Sequence, residues 1–262
     1  MFAMSKKSPV ETGSDVRVAA RSGYTGFTVG RAPSYVQANI YIVPNPFARD
    51  FLAFCHANSV ACPILGRGET GSYCMPALGR DIDIRTDLPS FLVHENGLER
   101  SVGGIVDLWQ DDLVVFAVGC WLGAEGALTK AGIRMRHREL GLQGGLYRTC
   151  LATTPAGPFH GPLVVSMRPF HKEDIDRVTL ITAGMPLSHG APLYVGDPAE
   201  LGIKALDHAD WGDVVLPNED ETAVFWPCGL TALQALKNAH IPFFISHAPG
   251  AMLVTDLKEV FA

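Results

Sequence analysis

The chain has 262 residues, 47% of them hydrophobic and 18% charged, with a formal net charge of −6. That length allows one large domain or two modest ones sharing a core. The acidic balance leaves no basic field to attract nucleic acid or an anionic lipid surface. Six cysteines are spread singly, without a CxxC pair, which fits free thiols and a cytoplasmic setting.

Residues 1–14 are polar, lack the apolar run of a secretory signal and read as a loose tail. Tyr35, Gln37 and Asn39 share one face of an expected strand; three hydrogen-bonding side chains in register mean either a lined pocket or a polar outer face. Asn45 before Pro46 predicts a helix start with Asn45 as its cap and Phe47, Phe51, Phe54 and Cys55 on one face. "GRGETG", residues 66–71, satisfies GxGxxG, but the turn-rich segment after it offers no helix N-terminus for a pyrophosphate, so no dinucleotide cofactor is expected. "FLVHENGLERSV" predicts a hairpin turning at Asn96-Gly97.

Residues 113–120, "LVVFAVGC", predict a buried strand feeding a helix at about 121–131. Strands follow near 133–138, 146–152 and 162–168, then a helix near 172–184. The uncharged run 178–196 is long enough to span a bilayer, but its glycines and prolines would break such a helix, so no membrane partner is expected. "AVFWPCG", "LTALQALKNA" and "PFFISHAPG" then predict a βαβ unit with a parallel crossover, its ligands lying beyond the carboxyl ends of the strands. No internal repeat stands out. The expected fold is α/β: a mixed, largely parallel sheet domain with helices, from residues 15–112 and 186–262, plus a smaller α+β lobe inserted in mid-chain at 113–185.

The candidate chemistry centres on "FHGPLVVSMRP", residues 159–169. Read with a period of two, Gly161, Leu163, Val165 and Met167 point one way, and His160, Val164, Ser166 and Arg168 the other. An arginine inside an apolar run must be paired or must receive an anion. Arg168 beside Ser166, and Arg85 beside Thr86, each suit a two-pronged grip on a carboxylate; for Arg85 an internal pair with Asp83 or Asp87 is the alternative. Cys228 stands where a strand meets a helix, a setting that lowers a thiol pKa, although cysteine also serves as a small apolar filler. No metal is expected, because there is no HExxH and no paired Cys/His spacing. His56, His94, His137, His208 and His240 lie in polar or turn contexts and are expected at the surface, and "RMRHRE", residues 134–139, reads as a solvated edge.

The blocks "RSGYTGFTVGRAPSYVQAN", "IRTDLP", "DLWQDDLVVFAVGC", "FHGPLVVSMRP", "HGAPLYVGDPAELGI", "FWPCGLT" and "SHAPGAMLVTD" occur in one order from about residue 17 to the C-terminus. Together they resemble the D-glutamate cyclase family, long catalogued as hydro-lyases. One position departs from it: Ala251 follows the glycine of "HAPG" where the family usually carries histidine. The resemblance implies a cytoplasmic carbon–oxygen lyase that closes D-glutamate to 5-oxo-D-proline with loss of water. For that chemistry the residues suggest Arg168 with Ser166 on one carboxylate and Arg85 with Thr86 on the other. His189 or His247 would move protons, with His160 behind them. Backbone N–H groups at Gly229 or Gly250 would hold the oxyanion. Two rivals stand beside this reading: a Cys228-dependent hydrolase or amidase, and a non-catalytic module for a small dicarboxylate. A homo-oligomer is compatible with all three.

Overall fold

The computed structural model describes residues 11–258, so residues 1–10 of the expected tail lie outside it. Thr12 caps the first helix, α1 (Gly13–Arg21), through a reciprocal bond with Asp15. The chain continues through β1 (Tyr35–Pro44), α2 (Asn45–Ala57), β2 (Ile64–Arg67) and the hairpin β3 (Phe91–Glu95) and β4 (Leu98–Val102). Next come β5 (Leu113–Gly119), α3 (Leu122–Lys130), α4 (Arg136–Glu139), β6 (Gly145–Ala152) and β7 (Pro162–His171). The last part holds α5 (Ile175–Ala183), β8 (Tyr194–Val195), β9 (Trp211–Gly212), β10 (Glu221–Pro227), α6 (Leu230–Asn238), β11 (Phe243–His247) and β12 (Leu253–Lys258). Asn96 and Gly97 both have positive φ, as the predicted hairpin turn requires. No described helix is long and apolar enough to cross a membrane.

These strands form two sheets. The seven-stranded sheet has the order β2-β5-β1-β11-β3-β4, with β12 also paired to β1; the five-stranded sheet has the order β8-β10-β7-β6-β9. Every pairing is antiparallel, so the expected largely parallel sheet is replaced by two antiparallel ones. The reason lies in coverage. Tyr41, Val43, Phe116 and Val118 pack on α2 and α6, while Ile40, Ile42, Val115 and Ala117 pack on the 75–105 segment. A sheet buried on both faces yields an unbroken apolar run such as "LVVFAVG", whichever way its strands run. The expected βαβ unit is also recast. β10 lies in one sheet and β11 in the other, and α6 bridges them.

Sheet membership likewise crosses the expected divisions at 113 and 186. β5 belongs to the seven-stranded sheet, and β8 and β10 to the five-stranded one. The predicted strand near 133–138 is the short helix α4, and its His137 is buried against Glu125 at 2.7 Å rather than solvated. His94 is buried as well, stacked on Phe244. Pro44, not Asn45, occupies the cap of α2, and the helix has no side-chain cap bond.

The register reveals a duplication. β1 pairs with β5 from Ala38 opposite Gly119 to Pro44 opposite Leu113; β7 pairs with β10 from Val165 opposite Pro227 to His171 opposite Glu221. The two ladders share the same register residue for residue, and β2 on β5 matches β8 on β10. α3 and α6 are both nine residues long and begin after Cys-Trp and Cys-Gly. Between Cys120–Ile133 and Cys228–Ile241, Cys, Leu, Ala, Ala, Leu, Ala and Ile recur at the same spacing, C-x-L-x-A-x-x-A-L-x-x-A-x-I. The last strand of each half crosses over, β6 onto β7 and β12 onto β1. Even a ladder irregularity repeats: the Thr149 hydroxyl donates to Leu163 O, and the Thr255 hydroxyl to Val36 O, both at 2.8 Å. The chain is therefore two copies of one motif with exchanged terminal strands.

Candidate active site

A cavity of about 230 Å³ is lined by residues of both halves. Its walls come in matched pairs: Asn39 with Ser166, Cys120 with Cys228, Leu122 with Leu230, and Gly144 with Gly250. The helices α3 and α6 both begin at this cavity. The first N–H groups of a helix have no partner inside it and carry partial positive charge, so two such ends favour an anion. No Asp or Glu is among the described residues lining the cavity. A volume at or just below the usual range for ligand pockets suits a small metabolite.

Arg168 supplies the full positive charge. The period-two reading of β7 holds: Val165 and Met167 pack in one cluster, while Val164 and Phe170 join the clusters on the opposite face, which carries Ser166 and Arg168. Arg168 is 4% exposed, and its Nη1 donates to Met167 O at 2.7 Å. Its Nε has no partner among the described residues, and neither has Ser166 Oγ or the indole N–H of Trp121. The guanidinium lies 5.0 Å from the centre of the Trp121 ring. Gly144, at φ +83°, gives it room: a Cβ there would stand 2.5 Å from Nη1. Burial lowers the Arg168 pKa from its ordinary value, with the Glu125 carboxylate opposing; Glu125 is itself held by His137. A buried guanidinium without a carboxylate partner is costly unless it serves a ligand.

His247 stands at the other end of the cavity. Its Nδ1 donates to Ile40 O at 3.4 Å, which leaves Nε2 as the acceptor nitrogen. Burial lowers its pKa to about 4, so the imidazole is neutral at pH 7. Asn39 lies nearby on β1, its amide donating to Gly119 O at 2.8 Å. A Cβ on Gly229 would come within 2.4 Å of that amide, so glycine is required where α6 meets β1. Both cysteines are protonated thiols rather than poised thiolates. Burial raises Cys228 against the lowering effects of the Leu230 N–H and Arg168, and pushes Cys120 up to about 12. The helix-end effect expected at Cys228 is present but outweighed.

The cavity thus unites Asn39, Ser166, Arg168, Cys228, His247 and Gly250, with Gly229 just behind its wall. Other expected residues lie elsewhere. Arg85 is paired with Asp83 at 2.7 Å and covers the Tyr73 ring, while Thr86 bonds within the same turn to Asp87. The expected clamp of two arginines is therefore corrected to one, because Arg85 satisfies its charge locally. His189 is buried in a left-handed turn, donating to Val60 O at 2.8 Å, and does not line the cavity. His160 is exposed, lies before β7 begins and is outside the cavity wall. Gln37 donates to Thr28 O, and Tyr35 packs under Lys258; neither lines the cavity. Ala251 is buried and contributes no cavity wall. Among the described residues no three His, Cys, Asp or Glu side chains gather as a metal site. Cys120, Trp121 and Gly144 were not foreseen, although the spacing shared with Cys228 carries the signal for Cys120.

Fold and site define a duplicated, two-sheet protein with a cavity, lined by Arg168 and by no described acid, between its two halves. A sequence model of the D-glutamate cyclase family matches residues 114–256. Three relatives, each named "Putative hydro-lyase", cover nearly the whole chain. That of Paraburkholderia phymatum is 50% identical over 90% of this chain and 92% of its own. Those of Azorhizobium caulinodans and Verminephrobacter eiseniae are each 46% identical, over 95% and 93% of this chain and 92% and 89% of theirs. The chain belongs to the D-glutamate cyclase family. Among solved structures, a nitrogen repressor-like protein of Methanococcus jannaschii is 12% identical with a TM-score of 0.40, covering 89% of this chain and 91% of that one; so distant a likeness carries no argument.

Proposed function

We propose that this protein is a carbon–oxygen lyase that closes D-glutamate to 5-oxo-D-proline, with loss of water, in the cavity between its two halves. Arg168 carries the reading: a buried guanidinium with no carboxylate pair, beside a Ser166 hydroxyl with no hydrogen-bond partner, among the described residues. Together they suit two parallel bonds to the carboxylate that does not react. Binding the folded substrate sets amine against side-chain carboxyl, and much of the rate of an intramolecular closure comes from such orientation.

The neutral His247 Nε2 takes a proton from the substrate ammonium. The freed amine attacks the side-chain carboxyl carbon, forming the C–N bond, and the tetrahedral oxyanion is stabilised by the N-terminus of α6. His247 delivers its proton to the departing oxygen. The nitrogen loses a second proton to the same oxygen as the C–O bond breaks, and one water leaves. The imidazole is neutral before and after.

The test is a mass-spectrometric assay of D-glutamate for loss of water, with L-glutamate and other small diacids alongside. Turnover is expected with D-glutamate, and His247→Gln is expected to lower kcat by about 10²- to 10⁴-fold. Thermal stabilisation by D-glutamate without turnover would replace the enzyme by a binding module. A fully active His247→Gln protein would remove the proton shuttle.

A further inference from the structure

The duplication says more about the ligand than its charge. In each half, the first strand reaches across to the residue that opens the other half's helix. Tyr41 on β1 donates its hydroxyl to Gly229 O at 2.8 Å, at the start of α6. Arg168, at the position on β7 that matches Tyr41, lies over Trp121 at the start of α3. The cavity therefore has two ends of common design. The α3 end gathers three donors that have no partner among the described residues, on side chains all at least nine-tenths buried: Arg168 Nε, Ser166 Oγ and Trp121 Nε1. The α6 end carries Asn39 and His247, both buried and both lining the cavity beside Leu230, the first residue of α6.

We propose that each half binds one carboxyl group of a short diacid laid between the two halves, the unreacting carboxylate on Arg168, Ser166 and Trp121 and the reacting one at the start of α6. This deepens the function proposed above and rests on it. Trp121 becomes a binding residue that tells the ends apart, because its partner position is Gly229, which has no side chain to donate. The helix starts are alike in both halves; the side chains placed on them are not. A diacid amino acid thus has one favoured direction in an otherwise near-symmetric cavity.

The experiment is calorimetric titration of the full chain with pentanedioate, butanedioate, hexanedioate and pentanoate, repeated on Trp121→Phe. Pentanedioate is expected to bind about 100-fold tighter than pentanoate, since one charged group loses its donors. Trp121→Phe keeps an aromatic ring on the Trp226 side and removes the N–H, at the cost of a smaller ring. It is expected to weaken pentanedioate and pentanoate alike by about 10-fold, because both seat on the α3 end. Near-UV circular dichroism of that variant checks its packing. Equal affinity for pentanedioate and pentanoate would overturn the two-ended site, even if D-glutamate is turned over. Two-ended binding of pentanedioate without turnover of D-glutamate would instead overturn the proposed reaction and leave the site standing. Arg168→Gln guards against misfolding of the tryptophan variant. Loss of pentanoate binding is expected there, and unchanged binding counts against the assignment of ends.

Discussion

β1 and β7 occupy equivalent places in the two halves, yet Tyr41 and Arg168, at matching positions, behave oppositely. Tyr41 is complete: its ring packs on Phe51, and its hydroxyl is bonded to Gly229 O. Arg168 is left with an Nε that has no partner among the described residues, in a cavity without a single acid in its described wall. One copy of the motif spends this position on holding the fold together, and the other keeps it open for a ligand. Duplication supplied two helix starts facing one seam. Function is concentrated where the copies differ.

The sharpest way to break this comparison is Arg168→Met. Catalytic efficiency is expected to fall by about three orders of magnitude, as charge-assisted bonds to a carboxylate are lost. The unfolding midpoint should stay level or rise, because an unpaired buried charge is removed. A destabilised but active variant would mean that Arg168 is structural.

The next effect belongs to the buried histidines. His189 and His247 each titrate near 4 in the folded protein, against about 6.5 when unfolded. Below pH 6.5 the unfolded state binds more protons, so stability is present above that value and is lost as pH falls towards 4. At pH 5 each costs about 2 kcal/mol relative to pH 7. Urea midpoints at the two pH values measure it, and His247→Asn should remove its own share. A His247 variant with undiminished pH dependence would show that this ring is not held neutral by burial.

Tyr41→Phe is expected to cost about 1 kcal/mol by leaving Gly229 O without its donor, with kcat changed only a few-fold. Equal losses of activity in the Tyr41 and Arg168 variants would erase the distinction between the halves. The smallest effect is expected from Arg85→Ala. Its partly exposed pair with Asp83 is worth at most about 1 kcal/mol, and the kinetic constants should not move. A large rise in KM would restore Arg85 to the site.

The sequence alone carried the local structure and part of the site. The alternation along β7 put Ser166 and Arg168 on one face, and the carboxyl ends of strands marked Cys228 and the turn after His247. These features are local, set by side-chain period and turn chemistry within a few residues. Strand direction was not legible, because burial on both faces removes the alternation that marks an antiparallel sheet with one wet face. Arg85 and Arg168 could not be ranked either. Asp83 lies two residues from Arg85 and pairs with it, while Arg168 is surrounded by β7, α3 and the Gly144 turn, which meet only in the folded chain. The recurring Cys, Leu, Ala and Ile spacing was present in the letters, but it became a repeat only when the paired strands showed the same register. A polar group's fate in the interior depends on what the rest of the chain brings to it, and that is a property of tertiary packing.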